Sequence, residues 1–206
     1  MTGETRVWAA SALLFLAGAC DSGHSTIERS YSEPSSSLVI PGATERSGLD
    51  AVIQFSAGAL RVRPASSGLA YEATLRHCEI HTAPSVEFVA PAGARRGRLA
   101  LSLKPSRSGF YGFGGEGNEA EIGLPATGLT SLQMDSGDGE TVIDLAGIAV
   151  PHLTIRTGAG DSSVVFAADG TPADEVHITG SVGDVTVDRL SGINPQRDLV
   201  EIVELE

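Results

Sequence analysis

The chain has 206 residues, of which 41% are hydrophobic and 19% charged, and this composition suits one folded domain with terminal extensions. Its net charge of −12 repels nucleic acid and anionic headgroups, so we exclude nucleic acid as a partner. The 25 glycines and the aromatic content of 5% favour turn-rich β structure over a helical bundle.

The first twenty residues have the features of a bacterial signal peptide that ends at a lipid-attachment site. Arg6 supplies a positive charge, residues 7–16 form an uncharged apolar run, and small residues lead into Cys20. The run is too short to span a bilayer as a helix, which needs about 20 residues. Leu16-Ala17-Gly18-Ala19-Cys20 resembles a lipobox, so we predict cleavage after residue 19 and lipid on Cys20. Ordinary signal cleavage beside an unmodified cysteine is the alternative.

These features predict a protein of the bacterial cell envelope, anchored to a membrane and facing the extracytoplasmic side. Residues 20–37 are polar, rich in serine and without periodicity, so we predict a lipidated, flexible tether. The sequence then divides into a β domain at residues 38–192 and a C-terminal tail at residues 193–206.

Internal repeats are the clearest feature of the remaining chain. Three copies of one pattern follow each other, at residues 132–145, 153–166 and 176–188. Each copy alternates apolar and polar residues, turns at a glycine followed by an acid, and alternates again. Aligned on Gly139, Gly160 and Gly183, the copies are offset by 21 and 23 residues, and a weaker copy surrounds Gly58.

The alternation predicts two short strands per copy, separated by a glycine corner. In the first copy we expect the interior side chains to be Leu132, Met134, Ile143 and Leu145, and the solvent-facing ones to be Gln133, Asp135 and Asp144. A repeat of about 20 residues cannot bury its own apolar face, so the copies must stack. The predicted fold is all-β, a β-solenoid-like stack of short strands built from repeats of about 21 residues.

The corner motif resembles that of a known domain. Ser136-Gly137-Asp138-Gly139-Glu140 and Thr157-Gly158-Ala159-Gly160-Asp161 each lie between two alternating strands. This arrangement resembles the toast-rack domain, over residues 38–192 and most clearly over 129–190. Ser181 departs from the motif, because it replaces the first glycine in the last copy.

The resemblance implies a stack of β-repeats and brings no catalytic residues with it. Toast-rack domains occur in LiaF-like regulators of the cell-wall stress response and in predicted adhesins of bacterial envelopes. We therefore expect a non-enzymatic envelope lipoprotein whose repeat domain binds a protein or a wall polymer. A regulator of an envelope stress response is the alternative, and a metal-dependent enzyme is a more remote one. No Gly-x-Ser-x-Gly motif or phosphate-binding loop is present, and we expect no cofactor.

Residues 77–81, His-Cys-Glu-Ile-His, contain candidate metal ligands. On a strand, His77, Glu79 and His81 would share one face, where two imidazoles and a carboxylate could hold zinc. A solvated strand face is the commoner explanation, and we favour it. Cys78 would then point to the opposite face as a buried thiol.

Acidic residues recur at the glycine corners, namely Asp138, Glu140, Asp161 and Asp184. Stacking would align their carboxylates, and calcium prefers such oxygen ligands. Glycine and aspartate are also ordinary residues of tight turns, and we favour that explanation. A basic cluster, Arg95, Arg96 and Arg98, is interpreted as a solvated turn, with contact to an anionic partner as the alternative.

Residues 109–118 combine five glycines with Phe110, Tyr111 and Phe113. Aromatic side chains on a glycine-rich loop are suited to stacking on a sugar or to contact with a protein. The alternative is that these aromatics cap the open end of the solenoid. Phe110, Tyr111 and Phe113 are our candidates for binding the partner.

Overall fold

The computed structural model describes residues 19–20, 24–39, 48–78, 82–92, 95–105, 118–166, 174–189 and 199–204. Within these ranges the chain forms fifteen strands and a short 3-10 helix at Ser35–Leu38. The strands are β1 (Ala19–Cys20), β2 (His24–Pro34), β3 (Leu49–Ala57), β4 (Ala59–Pro64), β5 (Leu69–Cys78), β6 (Thr82–Val89), β7 (Gly97–Pro105), β8 (Glu119–Leu124), β9 (Leu129–Asp138), β10 (Thr141–Asp144), β11 (His152–Ala159), β12 (Ser162–Val165), β13 (Glu175–Val182), β14 (Val185–Asp188) and β15 (Leu199–Glu204). None of the described segments forms a helix that is long and apolar enough to cross a membrane.

The strands form two sheets. The eight-stranded sheet has the order β1-β2-β5-β8-β4-β10-β12-β14, and the seven-stranded sheet has the order β15-β13-β11-β9-β3-β7-β6. Each repeat contributes one strand to each sheet, and we call such a pair of strands a rung. Five rungs run in the same direction, and within each sheet the strands of adjacent rungs pair in parallel. These rungs are β3–β4, β7–β8, β9–β10, β11–β12 and β13–β14.

Equivalent residues of successive repeats lie side by side. Leu132 pairs with Leu153, and Leu153 pairs with Val176, so one core position continues from rung to rung. Strands β10, β12 and β14 keep the same one-to-one register in the other sheet. The predicted fold class, an all-β stack of short strands built from repeats, is confirmed.

The alternating pattern of each strand separates the core from the surface. The residues expected in the interior of the first repeat are all at most 1% exposed, namely Leu132, Met134, Ile143 and Leu145. Their polar neighbours Gln133, Asp135 and Asp144 lie at the partly exposed surface, as predicted. Because neighbouring rungs repeat this pattern in register, the interior side chains form one continuous apolar core between the sheets.

The corners of the rungs form a column of glycines. Gly58, Gly139, Gly160 and Gly183 all have a positive φ, between +112° and +126°. A Cβ atom at Gly160 would overlap the carbonyl oxygen of Gly139, and a Cβ atom at Gly139 would overlap that of Gly58. Two independent constraints therefore require glycine here, the backbone conformation and the close approach of the next corner.

The prediction of a flexible tether up to residue 37 is wrong for residues 24–37. Strand β2 pairs with β5 in antiparallel fashion, and the 3-10 helix follows it directly. Of the residues of β2 that face the core, only Ile27 and Tyr31 are apolar, whereas Arg29 and Glu33 share the same face. The apolar residues are thus four apart, and this spacing gives no period-2 signal. A polar strand near a sheet edge is a common arrangement.

The predicted C-terminal tail is also wrong in part. Residues 199–204 form β15, which pairs in parallel with β13 and adds one strand to the seven-stranded sheet. Val200 lies beside Val176 and Ile202 beside Ile178, so the register of the repeats continues past residue 192. The sequence Leu-Val-Glu-Ile-Val-Glu does not have the glycine corner that marks the other copies, so it carries no repeat signal.

Strands β5 and β6 form a rung that runs in the opposite direction. Strand β5 pairs antiparallel with β8, and β6 pairs antiparallel with β7. Strand β5 ends at Cys78 and β6 begins at Thr82, at the side of the stack where β7 ends and β8 begins. This reversed rung places Cys78 and Thr82 next to the corner between β7 and β8.

The close approach of the corners can be tested with two glycines that both have a positive φ. We expect Gly160→Ala to lower the free energy of unfolding by more than the ~1–3 kcal/mol of backbone strain, because its Cβ would also meet backbone atoms. Gly147→Ala is the matched control, since its φ is +82° and no atom lies within 4 Å of the added Cβ. Urea denaturation measures both losses. Equal losses would contradict a corner column set by backbone contact.

Candidate functional site

One rung of the stack turns differently from the others. Strands β3 and β4 are joined by Gly58 alone, and the repeats turn through a glycine and an acid, as at Gly160-Asp161. Between Pro105 at the end of β7 and Glu119 at the start of β8 there are thirteen residues, 106–118, which we call the inserted corner. Of these, only Asn118 is described. The candidates Phe110, Tyr111 and Phe113 belong to the inserted corner and lie outside the described residues.

Asn118 continues the column of corners. A Cβ atom at Gly58 would overlap the carbonyl oxygen of Asn118, just as each glycine of the column approaches its neighbour. The N–H group of Ala59 donates to that oxygen at 3.0 Å, and Asn118 Nδ2 donates to the carbonyl of Ala57 at 3.4 Å. The inserted corner therefore returns to the stack at a fixed point in the register.

The reversed rung contacts the inserted corner from the other side. The hydroxyl of Thr82, which is 4% exposed, lies 3.2 Å from Asn118 Oδ1 and 3.4 Å from the carbonyl oxygen of Cys78. Its single proton can be donated to either acceptor. Cys78 and Thr82, far from Asn118 in sequence, thus meet it at one corner of the stack. Neither Thr82 nor Asn118 is predicted as a site residue from the sequence.

A sequence signal for the inserted corner does exist. Leu99, Leu101 and Leu103 alternate before it, and Ala120, Ile122 and Leu124 alternate after it. These are the two strands of a repeat, and all six side chains are at most 2% exposed. The insertion separates the two halves and removes the glycine corner on which the other copies were aligned. The rung is therefore recognisable only when the flanking alternation is compared with that of the clear repeats.

The candidate metal ligands are only partly described. His77 is 1% exposed, so its expected position on a solvated strand face is wrong, and it faces the core beside Ile27. Cys78 is 8% exposed, and its prediction as a buried thiol is confirmed. Glu79 and His81 lie outside the described residues. Among the residues that are described, no group of three His, Cys, Asp or Glu side chains could hold a metal ion.

The acids at the corners take part in turns. Asp138, Glu140, Asp161 and Asp184 are all exposed and recur along the corner column. Asp161 Oδ1 accepts from the backbone N–H of Asp184 at 3.5 Å, and Asp138 Oδ1 accepts from that of Ala159 at 3.4 Å. These long contacts join one corner to the next. They match the turn chemistry that the sequence favoured for these acids.

The basic cluster lies where the chain turns from β6 into β7. Arg95, Arg96 and Arg98 are exposed, at the side of the stack away from the glycine corners. Arg96 has a 3.6 Å ion pair with Asp50, and an exposed pair of this kind contributes little to stability. The cluster therefore gives the surface a local positive charge.

Aromatic side chains are confined to the core in the described part of the chain. Phe55, Tyr71, Phe88 and Phe166 are at most 8% exposed, and Tyr31 packs against the core. Tyr71 packs on Phe88 with ring centroids 5.5 Å apart, and burial, with Glu33 nearby, raises the pKa of Tyr71 to about 12. Of the described aromatic residues, four are thus buried and Tyr31 is partly exposed.

These features define a class of protein, an all-β stack of repeats whose rungs turn at glycine corners and in which one corner is extended. The chain belongs to the toast-rack family, because the family model described as the N-terminal domain of toast_rack, DUF2154, matches residues 23–188. The resemblance drawn from the corner motifs is thereby confirmed. The matched range begins before β2, in agreement with a folded segment where the sequence predicted a tether.

Two solved structures are similar to this chain. One is a candidate cell adhesion protein from Clostridium sporogenes ATCC 15579, with 16% identity, a TM-score of 0.61, and coverage of 87% of this chain and 94% of that one. At this identity the likeness shows a shared fold. The other is a candidate adhesin from Bacteroides fragilis NCTC 9343, with 9% identity, a TM-score of 0.32, and coverage of 87% and 97%. No curated protein matches the chain.

The link between the inserted corner and the reversed rung can be measured with a double-mutant cycle. Asn118→Ala and Thr82→Val each remove the hydrogen bond between the two side chains. We expect a coupling free energy of about 0.5–1 kcal/mol, which is the typical net contribution of such a bond. Thermal or urea unfolding of the two single variants and the double variant gives this value. Strictly additive losses would show that the contact does not connect the two corners.

Proposed function

We propose that the protein is a non-enzymatic lipoprotein of the bacterial cell envelope that binds a protein or a wall polymer through its inserted corner. The observation that carries the proposal is the position of this insertion. The other corners of the parallel rungs turn through one or two residues, and residues 106–118 extend a single corner of an otherwise regular stack. In repeat proteins, insertions of this kind map to loops on one face, which is often the binding face.

The composition of the inserted corner supports binding. It carries Phe110, Tyr111 and Phe113, whereas the aromatic residues of the described chain are buried or, for Tyr31, packed against the core. Asn118, at the end of the inserted corner, is hydrogen-bonded to Ala57 and Ala59, so the segment ends on the stacked scaffold. Aromatic rings on such a segment provide a large contact area for a sugar face or an apolar protein surface. The similar Clostridium protein is described as a candidate cell adhesion protein, which is in keeping with a binding role.

The lipobox-like segment supports attachment to the membrane through lipid on Cys20. Cleavage after residue 19 would leave Cys20 at the mature N-terminus, where it pairs with His24 and is separated from the start of β2 by residues 21–23. Four residues span at most about 14 Å, so a lipid on Cys20 would hold the domain close to the bilayer. Thr26 of β2 pairs with Cys78, so the start of β2 lies at the same side of the stack as Asn118, and attachment through Cys20 would bring this side towards the membrane.

The lipid attachment has a direct test. We expect the unaltered chain to partition into the detergent phase on phase separation, and Cys20→Ala to stay uncleaved or to become soluble. Mass spectrometry of the mature N-terminus checks the modification itself, and Ser25→Ala serves as a control that leaves the lipobox intact. A mature protein that is soluble and carries an unmodified Cys20 would end this part of the proposal.

The binding role is tested by the triple change Phe110→Ala, Tyr111→Ala and Phe113→Ala. Binding is measured by co-sedimentation of the protein with purified cell-wall sacculi and by affinity capture of partners from native membranes. In each assay in which the unaltered chain binds, the triple variant should bind less. The melting temperature should change little, because side chains that face a partner contribute little to the core. A matched control removes the acids of uninserted corners, Glu140→Ala with Asp161→Ala, and should leave recovery unchanged.

The opposite outcome is equally specific. If the three aromatics cap the stack, the triple variant loses apolar burial at about 25 cal/mol per Å². Its melting temperature would then fall by several degrees, since ~1 kcal/mol shifts a domain of this size by about 2–4 °C. A large melting shift together with full recovery would contradict a binding role for the inserted corner.

A further inference from the structure

A basic stretch of the sequence coincides with the rung that carries the inserted corner. Residues 88–115 contain five of the 14 Lys and Arg residues and no Asp or Glu, although the net charge of the chain is −12. Four of these five basic residues are described and exposed, namely Arg95, Arg96, Arg98 and Lys104. Three of them lie just before β7 or at its start, and Lys104 lies near its end. Strand β7 thus has positive charge at both ends in an acidic protein.

The outer face of the seven-stranded sheet carries this charge along one line. Arg98 and Lys104 are six residues apart on β7, so their side chains leave the same face of the strand. At about 3.3 Å per residue these two positions are roughly 20 Å apart. We call this line the basic strip. It consists of Arg95, Arg96 and the outer-face residues of β7, which are Arg98, Ala100, Ser102 and Lys104.

The strands on either side of β7 leave the basic strip with a positive net charge. The acids on the outer faces of the flanking strands are Glu87 on β6 and Asp50 on β3. Asp50 is paired with Arg96 at 3.6 Å. The described residues of these three outer faces and of the turn before β7 therefore include four cations and two acids. This part of the surface attracts anions, although the chain as a whole repels them.

The middle of the basic strip is polar. Ser85, Ser102 and Gln54 lie side by side on β6, β7 and β3. Hydroxyl and amide groups can both donate and accept hydrogen bonds, as binding to the hydroxyl groups of a sugar or polyol requires. Interfaces between proteins usually centre on aromatic or large apolar anchors, and the described residues of the strip include no aromatic side chain. The strip therefore fits a hydrophilic chain better than a folded protein.

We propose that the partner is an anionic polymer of the cell wall, whose phosphate or carboxylate groups lie along the basic strip. Arginine binds both kinds of anion through paired N–H groups. A strip about 20 Å long is contacted over its whole length only by a chain of several units. The strip ends where the inserted corner begins, after Pro105, so one polymer would extend from the strip to that corner. This inference rests on the proposed binding role of the inserted corner and narrows its partner to one class.

Anionic headgroups of the anchoring membrane fit the basic strip less well than a wall polymer does. Attachment through Cys20 would bring the side of the stack that contains Asn118 towards the membrane. Lys104 is near that side, whereas Arg95 and Arg98 are at the opposite side, about 20 Å further along β7. This separation exceeds the screening length of about 8 Å at physiological salt. The arginine end of the strip would therefore face away from the membrane.

Co-sedimentation of the full chain with purified cell-wall sacculi, in a neutral detergent, tests the basic strip. The strip variant, Arg95→Gln with Arg98→Gln and Lys104→Gln, removes three cations and keeps the ion pair of Arg96. Its recovery with sacculi should be several-fold lower than that of the unaltered chain. Its melting temperature should be unchanged, because the three side chains are exposed. Equal recovery of the strip variant and the unaltered chain would overturn the inference.

A matched control removes the same charge elsewhere. Arg61→Gln with Arg156→Gln and Arg189→Gln changes three exposed arginines that lie on other strands or beyond them. This control variant should be recovered as well as the unaltered chain. A loss as large as that of the strip variant would show that only the total charge matters, and would overturn the assignment to the strip.

The anions of the polymer are tested with the unaltered chain. One sample of sacculi is treated with hydrofluoric acid, which cleaves phosphodiester links, and another has its carboxylates converted to amides. Recovery should fall several-fold with at least one treated sample, and the treatment that lowers it identifies the anion. Recovery on untreated sacculi should also fall between 0.1 M and 1 M salt, since the screening length drops from about 10 Å to about 3 Å. Recovery that neither treatment nor salt changes would overturn the inference.

Failure of this inference can be distinguished from failure of the proposed function. If the aromatic triple variant loses binding and the strip variant does not, the inserted corner remains the site and the anionic polymer is ruled out. Capture of a protein from native membranes without binding to sacculi has the same meaning. Binding to vesicles of anionic lipid should not exceed binding to vesicles of neutral phosphatidylcholine. An excess that the strip variant abolishes would identify headgroups as the partner and overturn the inference.

Discussion

The structure depends on the close approach of the backbone at the corners of the rungs. Each glycine of the column presses against the carbonyl group of the corner below, at a distance that leaves no room for a Cβ atom. This contact sets the register of both sheets, because each corner joins a strand of one sheet to a strand of the other. Once the register is set, equivalent apolar side chains lie above one another and the core becomes continuous. Asn118 extends the same contact to a rung without a corner glycine.

Local signals in the sequence predicted the repeats, the strands of each copy and the core positions, because a glycine corner and period-2 alternation are visible over a few residues. Strand pairing that is determined by residues distant in sequence leaves no such local signal. Strand β2 has Arg29 and Glu33 among its core-facing positions, β15 does not have a corner, and the reversal of β5 and β6 cannot be read from alternation. The candidate site was affected in the same way. The sequence singles out residues 77–81 and 109–118 separately, whereas the reversed rung that brings Thr82 to Asn118 is a property of the sheet order.

Because the other corners of the parallel rungs are short, the length of the inserted corner is not explained by the fold alone and points to a separate role. A stack that turns on single glycines needs no long connection, so the inserted corner is not required for closure of the sheets. Asn118, at the end of the inserted corner, lies at the side of the stack where Cys20 pairs with His24, so the proposed lipid on Cys20 would bring a bound partner close to the membrane. In this account the repeats provide the scaffold and one corner provides recognition.

The central claim is that one corner has been extended for binding on a stack that does not need the extension to fold. Replacing residues 106–117 by a single glycine tests it most directly, because β7 and β8 would then be joined by a short turn like the other rungs. The account predicts a melting temperature equal to or above that of the unaltered chain, together with loss of capture by cell-wall sacculi and native membranes. A shortened chain that still binds as well as the unaltered one, or one that no longer folds, would contradict it.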